Sequence, residues 1–196
     1  MKKSHEKLKR FIDVILSLMA LGFSLPFWGI IGILIKLDSK GPVFFTQWRL
    51  GKNGRKFLMY KFRTMYHGVP FLKNPDGSAV VSENDPRVTK IGKILRKYSL
   101  DELPQLLNVI LGDMSLVGPR PELPEHYKLY SEWEKKRLNV LPGMTGLAQV
   151  NGRNALSWSE RKKFDVIYVE NENLRLYFNI LFKTFKQVIK GVGVFR

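Results

Sequence analysis

The chain has 196 residues, enough for one domain with a real core or a domain with an appendage, and it contains no cysteine. That excludes a disulfide framework and any thiolate zinc site, and fits a reducing compartment. Lysine and arginine number 33 against 17 acidic residues, a formal charge of +16, which points to a polyanionic partner: nucleic acid, an anionic membrane surface or a phosphorylated substrate.

The N-terminus carries Lys2, Lys3, Lys7, Lys9 and Arg10 and leads into Val14 to Ile35, 22 uncharged residues in which Ser17 and Ser24 are the clearly polar members. As a straight helix this run measures ~33 Å, enough to cross the hydrocarbon layer. A secretory signal peptide shares the basic and apolar arrangement, but this run is long for one and lacks a small-residue cleavage site. Pro26 lies mid-run, where it removes a backbone hydrogen bond and kinks a helix, and the Ser24 hydroxyl is placed to satisfy part of the freed backbone. Lys36 and Lys40 follow the run, so the positive-inside preference holds both of its ends in the cytoplasm. On these grounds a spanning helix and a re-entrant one broken at Pro26 both stay open. Residues 1–36 read as a membrane segment, and 37–196, free of repeats and low-complexity tracts, as one soluble-facing domain.

Gly41 to Gln47 is a turn followed by a strand, and Arg55 to Met65 is its hairpin partner across Gly51-Lys52-Asn53-Gly54. Residues 67 to 86 hold Gly68, Pro70, Asn74-Pro75-Asp76-Gly77 and Asn84-Asp85-Pro86, the chemistry of turns and a loop. Arg87, Lys90, Lys93 and Lys97 recur at helical spacing with Val88, Ile91, Ile94 and Leu95 on another face, which predicts an amphipathic helix with a cationic stripe over 87–97. That stripe reads as a solvated face or one lying on anionic lipid. A second helix is expected from Ser99 through Leu111 to Gly112.

Gly118-Pro119-Arg120-Pro121 brackets one arginine between prolines, Leu141 to Gly146 is another rigid turn, and Asn151-Gly152 is a turn signal followed at once by Arg153. Leu174, Phe178, Leu181, Phe182, Phe185, Val188 and Ile189 fall on one helical face opposite Lys183, Lys186 and Lys190, a pattern for core packing or for a membrane interface. His5, His67 and His126 lack metal-ligand spacing and read as surface or loop residues.

Asp101 and Glu102 stand side by side in Ser99-Leu100-Asp101-Glu102-Leu103-Pro104-Gln105. Ser99-x-x-Glu102 matches a capping box, or Asp101 is itself an N-cap with Pro104 in the first turn. A functional reading is compatible with either. A carboxylate whose charge is stabilised is a usable nucleophile toward phosphorus, and a neighbouring carboxylate suits Mg²⁺ shared with diphosphate oxygens. Arg120 and Arg153, on rigid turns, suit bidentate phosphate contacts. Adjacent carboxylates do not suit glycoside hydrolysis, where the two flank a bond at roughly 5 Å or more.

These segments together resemble the bacterial sugar transferases, the monotopic polyprenyl-phosphate phosphoglycosyl transferases. The matching stretches are Lys9-Arg10-Phe11-Ile12-Asp13, Gly41 to Gln47, Tyr60-Lys61-Phe62-Arg63-Thr64-Met65, Ser99 to Gln105, Gly112 to Pro121, Pro142 to Leu147 and Gln149 to Asn154. In size the chain is similar to the minimal form that initiates bacterial protein N-glycosylation. The resemblance implies an α/β (α+β) fold with a re-entrant N-terminal helix broken at Pro26, a small hairpin sheet, and amphipathic interfacial helices around an active site facing the cytoplasm at the bacterial inner membrane, with 37–196 as the catalytic domain. It implies transfer of a sugar 1-phosphate from a UDP-sugar to undecaprenyl phosphate, releasing UMP, by a ping-pong route through a phospho-sugar on Asp101, as the first membrane step of glycoconjugate synthesis. Asp101 takes the nucleophile position and Glu102 its partner, both associated with Mg²⁺; Arg63, Arg87, Arg120, Arg153 and Pro121 are implied substrate-binding residues. Downstream glycosyltransferases are expected partners and nucleic acid is not. Regulation through a large N-terminal transmembrane region is not expected. The competing readings are a membrane-tethered nucleic-acid binder and a non-catalytic scaffold that still binds nucleotide sugar. Two departures stand out: the family's Ser-Pro pair is Ser24-Leu25-Pro26 here, and a carboxylate usual in the C-terminal segment falls on Tyr177.

Overall fold

The computed structural model describes residues 2–70, 72–74, 80, 82 and 84–191; Pro75, Asp76 and Gly77 of the expected turn lie outside the described residues, as do the side chains of Lys2, Lys3 and Asn154. Helix α1 (Lys2–Asp38) is 37 residues long, and its burial pattern is the reverse of a soluble helix. Lys9, Asp13, Ser17 and Ser24 are buried against the protein, whereas Phe11, Met19, Phe23, Ile30, Ile33 and Leu37 face outward, Phe23 and Leu37 at 79% exposure. Among the described residues it is the one helix long and apolar enough to cross a membrane. Helical structure continues through Pro26. Ser24 Oγ donates to Leu21 O (3.2 Å) and accepts from Trp28 Nε1 (3.3 Å), so the hydroxyl is tied into the turn before the proline despite its extra residue of spacing.

Strands β1 (Phe44–Leu50) and β2 (Lys56–Phe62) form the expected antiparallel hairpin, with Phe44 opposite Phe62 and Leu50 opposite Lys56. Its turn needs left-handed backbone at Asn53 and Gly54 (φ 56° and 75°), residue types that tolerate it. Helix α2 (Lys90–Lys97) starts three residues later than the basic periodicity suggests, because Thr89 Oγ1 caps it by accepting from Gly92 N (3.0 Å). Helix α3 (Gln105–Leu111) likewise starts later than expected and ends at Gly112, whose φ of 98° is the left-handed stop foreseen there. Buried Asn108 of α3 accepts from Tyr60 N (3.0 Å) and donates to Leu58 O (2.8 Å), which locks α3 along β2.

Strands β3 (Ser115–Val117) and β4 (Gly143–Thr145) pair in parallel and join two turns that are far apart in sequence. A Cβ at Gly143 would fall 2.1 Å from Gly118 N and one at Gly146 2.2 Å from Gly118 O, so these backbones meet only because they carry no side chain. The short helices α4 (Glu132–Lys135) and α5 (Leu147–Val150) lead to α6 (Trp158–Glu170) and α7 (Leu174–Lys190). The buried face of α6 mixes Lys162 and Asp165 with Val166 and Tyr168, so no apolar stripe announces it in the sequence. The apolar residues of α7 divide between two faces: Tyr177 and Ile180 are buried in a cluster with Val117, Val150 and Tyr168, while Phe178, Phe182, Phe185 and Ile189 are exposed. His126 is buried with Nδ1 3.1 Å from Glu122 Oε2, so the expectation of a surface histidine fails there.

Both ends of α1 are fastened to this body. Near its start, Arg10 donates to Val109 O (2.5 Å) and Ile110 O (2.9 Å), and Lys9 Nζ donates to Ser115 Oγ (2.7 Å). Asp13 Oδ1 accepts from Leu116 N (2.9 Å) and from Tyr177 Oη (2.8 Å), which assigns the departure at Tyr177: a phenol meets the helix carboxylate there. At the other end, Asp38 Oδ2 accepts from Ile91 N (2.8 Å), and Ile31 and Ile35 pack with Phe62 and Leu95. Replacing Tyr177 by Phe strips Asp13, itself 1% exposed, of one of these two partners; we expect a loss of about 1–3 kcal/mol, read as a lower midpoint of thermal unfolding.

Candidate active site

The chain leaves α2 through Ser99, whose φ of 55° is left-handed for a residue with a side chain, and Leu100–Glu102 then make one tight 3₁₀ turn before α3. Ser99 makes no side-chain cap, and the Glu102 carboxylate is turned toward Lys61 and Arg120, so neither capping arrangement expected from the sequence forms. The turn instead presents both acids to a cavity of about 950 Å³ that the hairpin, the loop after β2, the Arg120 turn and α5–α7 enclose.

Glu102 Oε1 accepts from Lys61 Nζ at 2.7 Å and from Arg120 Nη2 at 3.0 Å, and Lys61 Nζ also stands 3.8 Å from Asp101 Oδ2. Burial pushes the Asp101 carboxyl up to about 6 against the pull of Lys61, with the Glu102 charge adding to the rise. Burial works in the same direction on Glu102, but Lys61 and Arg120 outweigh it and hold this carboxylate below its usual range. One acid of the pair is thus firmly charged and the other is poised.

Around the pair, Arg96 Nε donates to Thr64 Oγ1 (2.9 Å), and the Arg96 charge acts on Asp101. Arg153, held at φ 50°, lines the cavity and makes no hydrogen bond or ion pair with the protein among the described residues. Pro121 also lines the cavity. The backbone of Arg120 is fixed from behind: buried Arg137 donates to Arg120 O (2.9 Å), to Tyr130 Oη (2.6 Å) and to Asp165 Oδ2 (2.5 Å).

Arg63 and Arg87, expected as substrate ligands, have their donors engaged with protein oxygens. Arg63 donates to Pro42 O (2.5 Å), Ser39 Oγ (2.5 Å) and Ser39 O (2.9 Å), closing the end of α1. Arg87 forks onto Asp85 (2.9 and 2.6 Å) and donates to Pro70 O (3.0 Å), which holds the loop over the cavity. The cavity lining therefore gathers Asp101, Glu102, Arg63, Arg87, Arg120, Arg153 and Pro121, with Arg63 and Arg87 also bonded to protein oxygens. Lys61, Arg96 and Arg49 join the lining from outside the expected set, and Arg137 backs it. Strand alternation puts Lys61 on the face opposite Phe62, a signal present in the sequence but without a visible partner.

No group of three or more His, Cys, Asp or Glu residues gathers among the described residues, so an all-protein cage for a divalent ion is absent from them. The pair fits Mg²⁺ in its usual mode, one or two carboxylate oxygens completed by substrate phosphates and water, because the side-chain contacts on Glu102 fall on Oε1 and both acids line the cavity.

The sequence family described as bacterial sugar transferase matches residues 4–191. An uncharacterized sugar transferase of Bacillus subtilis, EpsL, is 45% identical over 161 residues, 82% of this chain and 77% of that protein. The exopolysaccharide production protein ExoY of Rhizobium meliloti is 42% identical over 94% of this chain and 87% of its own length. A UDP-glucose:undecaprenyl-phosphate glucose-1-phosphate transferase of Klebsiella pneumoniae is 40% identical over 93% of this chain, which spans only 40% of that longer protein. A match over nearly the whole chain settles the kinship: this chain belongs to the bacterial sugar transferase family.

Proposed function

We propose that the protein transfers a sugar 1-phosphate from a UDP-sugar to undecaprenyl phosphate, releasing UMP and forming a polyprenyl-diphosphate sugar. The observation that carries this reading is the Asp101–Glu102 pair on the cavity wall with Glu102 bridged by Lys61 and Arg120. The name of the Klebsiella relative supplies the donor and acceptor classes.

An Asp101 oxygen attacks the β-phosphorus of the donor, the bond from that phosphorus to the bridging oxygen breaks, and UMP leaves with the electron pair. The sugar phosphate is then held on Asp101 as an acyl phosphate. A phosphate oxygen of the lipid attacks the same phosphorus, the Asp101 carboxylate departs, and the enzyme returns to its starting form. Asp101 suits this role because it is buried beside cations yet not pinned by a short ion pair, whereas Glu102 is. Arg120 and Arg153 are the arginines with room for phosphate oxygens, and Lys61 orients the pair. Mg²⁺ held at Glu102, with Asp101 nearby, supplies neutralisation of diphosphate charge when bound.

The same reading places α1 as a re-entrant element, bent at Pro26, in the bacterial inner membrane. Support comes from its outward apolar face and from its fastening at both ends to one body, since a helix crossing the bilayer puts its ends on opposite sides. Basic residues at both flanks put that body on the cytoplasmic face. The exposed Phe178, Phe182, Phe185 and Ile189 of α7 extend the apolar surface into an interfacial contact.

The direct test is UMP release from a panel of UDP-sugars by the nanodisc-embedded protein with Mg²⁺ and undecaprenyl phosphate. Turnover with a donor and its abolition in Asp101→Asn support the reading; donor binding without UMP favours the scaffold. Because burial raises the Asp101 carboxyl, its ionised form is the costly one in the fold: that residue's stabilising contribution is complete at acid pH and lost as pH rises through about 6. Asp101→Asn is therefore expected to unfold at the same or a higher temperature than the parent at pH 8 while being inactive. The nucleophile must be ionised, so kcat/KM for the donor should climb about tenfold per pH unit below about 6 and level above it. Lys61→Met removes a charge that lowers the Asp101 carboxyl, and its acid limb should move to higher pH, as a pH–rate profile reads.

A further inference from the structure

The cavity has a polarity that follows one strand face. Antiparallel pairing sets Phe45 opposite Lys61, Gln47 opposite Met59 and Arg49 opposite Phe57, so these side chains share one face of the hairpin, and all but Phe57 line the cavity. Along β1 the series Phe45, Gln47, Arg49 passes from apolar through neutral polar to cationic in steps of ~7 Å. The Arg49 end lies against the anion-binding side: Leu50 N donates to Glu122 O (2.8 Å), and the charges of Glu122 and Arg120 act on Arg49. The Phe45 end stands beside Lys61 and the dyad and carries a 44% exposed aromatic ring without an aromatic partner among the described residues. Half-exposed Tyr66 and Leu72 continue the apolar wall from the loop.

That end is also continuous with the membrane helix. Next to Phe45, on the opposite strand face, Phe44 stacks on Phe62 (centroids 5.3 Å, 20°), and Trp28 of α1 sets its edge on Phe62 (5.3 Å, 78°). Leu100 and Leu103, on either side of the dyad, pack into the Ile31–Ile35 cluster of α1 and line the cavity. An apolar path thus leads from the Trp28–Ile31–Ile35 side of α1 to the acids, and the cationic wall lies beyond them.

Resting on the reaction proposed above, we propose that Phe45 is the contact for the first isoprenoid units of the acceptor, with the acceptor phosphate at Asp101 and the nucleotide end of the donor on the Arg49–Arg120–Arg153 side. The donor's diphosphate has nothing to gain at Phe45, whereas a prenyl chain entering from α1 leaves water against it. The two substrates therefore approach the same carboxylate from opposite ends of one cavity, and Phe45 is a specificity residue for the lipid alone.

The test uses the full-length protein in nanodiscs, its Phe45→Ala and Phe45→Leu variants, and two acceptors, farnesyl phosphate and undecaprenyl phosphate, with kcat/KM measured for each substrate. Phe45→Ala should lower kcat/KM for both lipids about tenfold, the scale of one apolar contact, and change kcat/KM for the UDP-sugar by less than about twofold; Phe45→Leu should recover most of the loss. An unchanged lipid value, or a loss confined to the UDP-sugar, overturns the assignment. An equal fall for both substrates in both variants marks a structural role and also overturns it. Absence of UMP from the unmodified protein with every donor overturns the reaction itself, a result separable from the others.

Discussion

Arg10, near the start of α1, gives its guanidinium to the carbonyls that end α3, and Asp38, at the other end of α1, accepts an unpaired N–H in the first turn of α2. Helix ends leave such groups without partners, and a cation at a C-terminus or an anion at an N-terminus also meets the helix dipole favourably. The segment that joins α2 to α3 is the turn bearing Asp101 and Glu102. One helix thus holds both supports of the turn that carries the acids, and the left-handed Ser99 between them is sustained by that double attachment rather than by its own preference. The apolar helix and the carboxylate pair are mechanically one unit: where α1 sits decides where the acids sit.

The net charge of the chain finds its meaning at the same place. Two adjacent carboxylates in a buried wall would repel each other, and the protein separates their roles by environment. Glu102 receives Lys61 and Arg120 and stays ionised; Asp101 keeps only the longer contact to Lys61 and is raised by burial. Assigning different duties to two acids through different surroundings is a general device of active sites. Arg120 is in turn held through its backbone by Arg137, whose own charge is met by Asp165. The Gly118–Gly143–Gly146 contact fixes the turn that carries Arg120, so its position is secured at the backbone while its side chain reaches Glu102.

Much of the local structure is written in local chemistry. The hairpin follows from β-branched and aromatic runs around an Asn-Gly turn, α2 from basic and apolar residues at helical spacing, and the stop of α3 from Gly112. The proximity of the acids is trivial in the sequence, and Arg120 and Arg153 stand out because rigid turns display them. By contrast no apolar stripe marks α6, since its buried positions mix Val166 and Tyr168 with Lys162 and Asp165, whose partners Glu134 and Arg137 lie at other points of the chain.

The sequence by itself determined the apolar N-terminal segment, the family and the identity of the carboxylate pair, because each depends on residues that are contiguous or regularly spaced. Only the tertiary structure decided which cations serve the pair. Arg63 and Arg87 line the same cavity and bond oxygens of the α1 end and of the cavity loop, whereas Lys61 reaches Glu102 from a strand 41 residues away. A guanidinium is equally suited to a phosphate and to a buried carbonyl, so its role is set by which oxygen the fold brings within reach, and that is a property of three-dimensional packing that no local pattern contains.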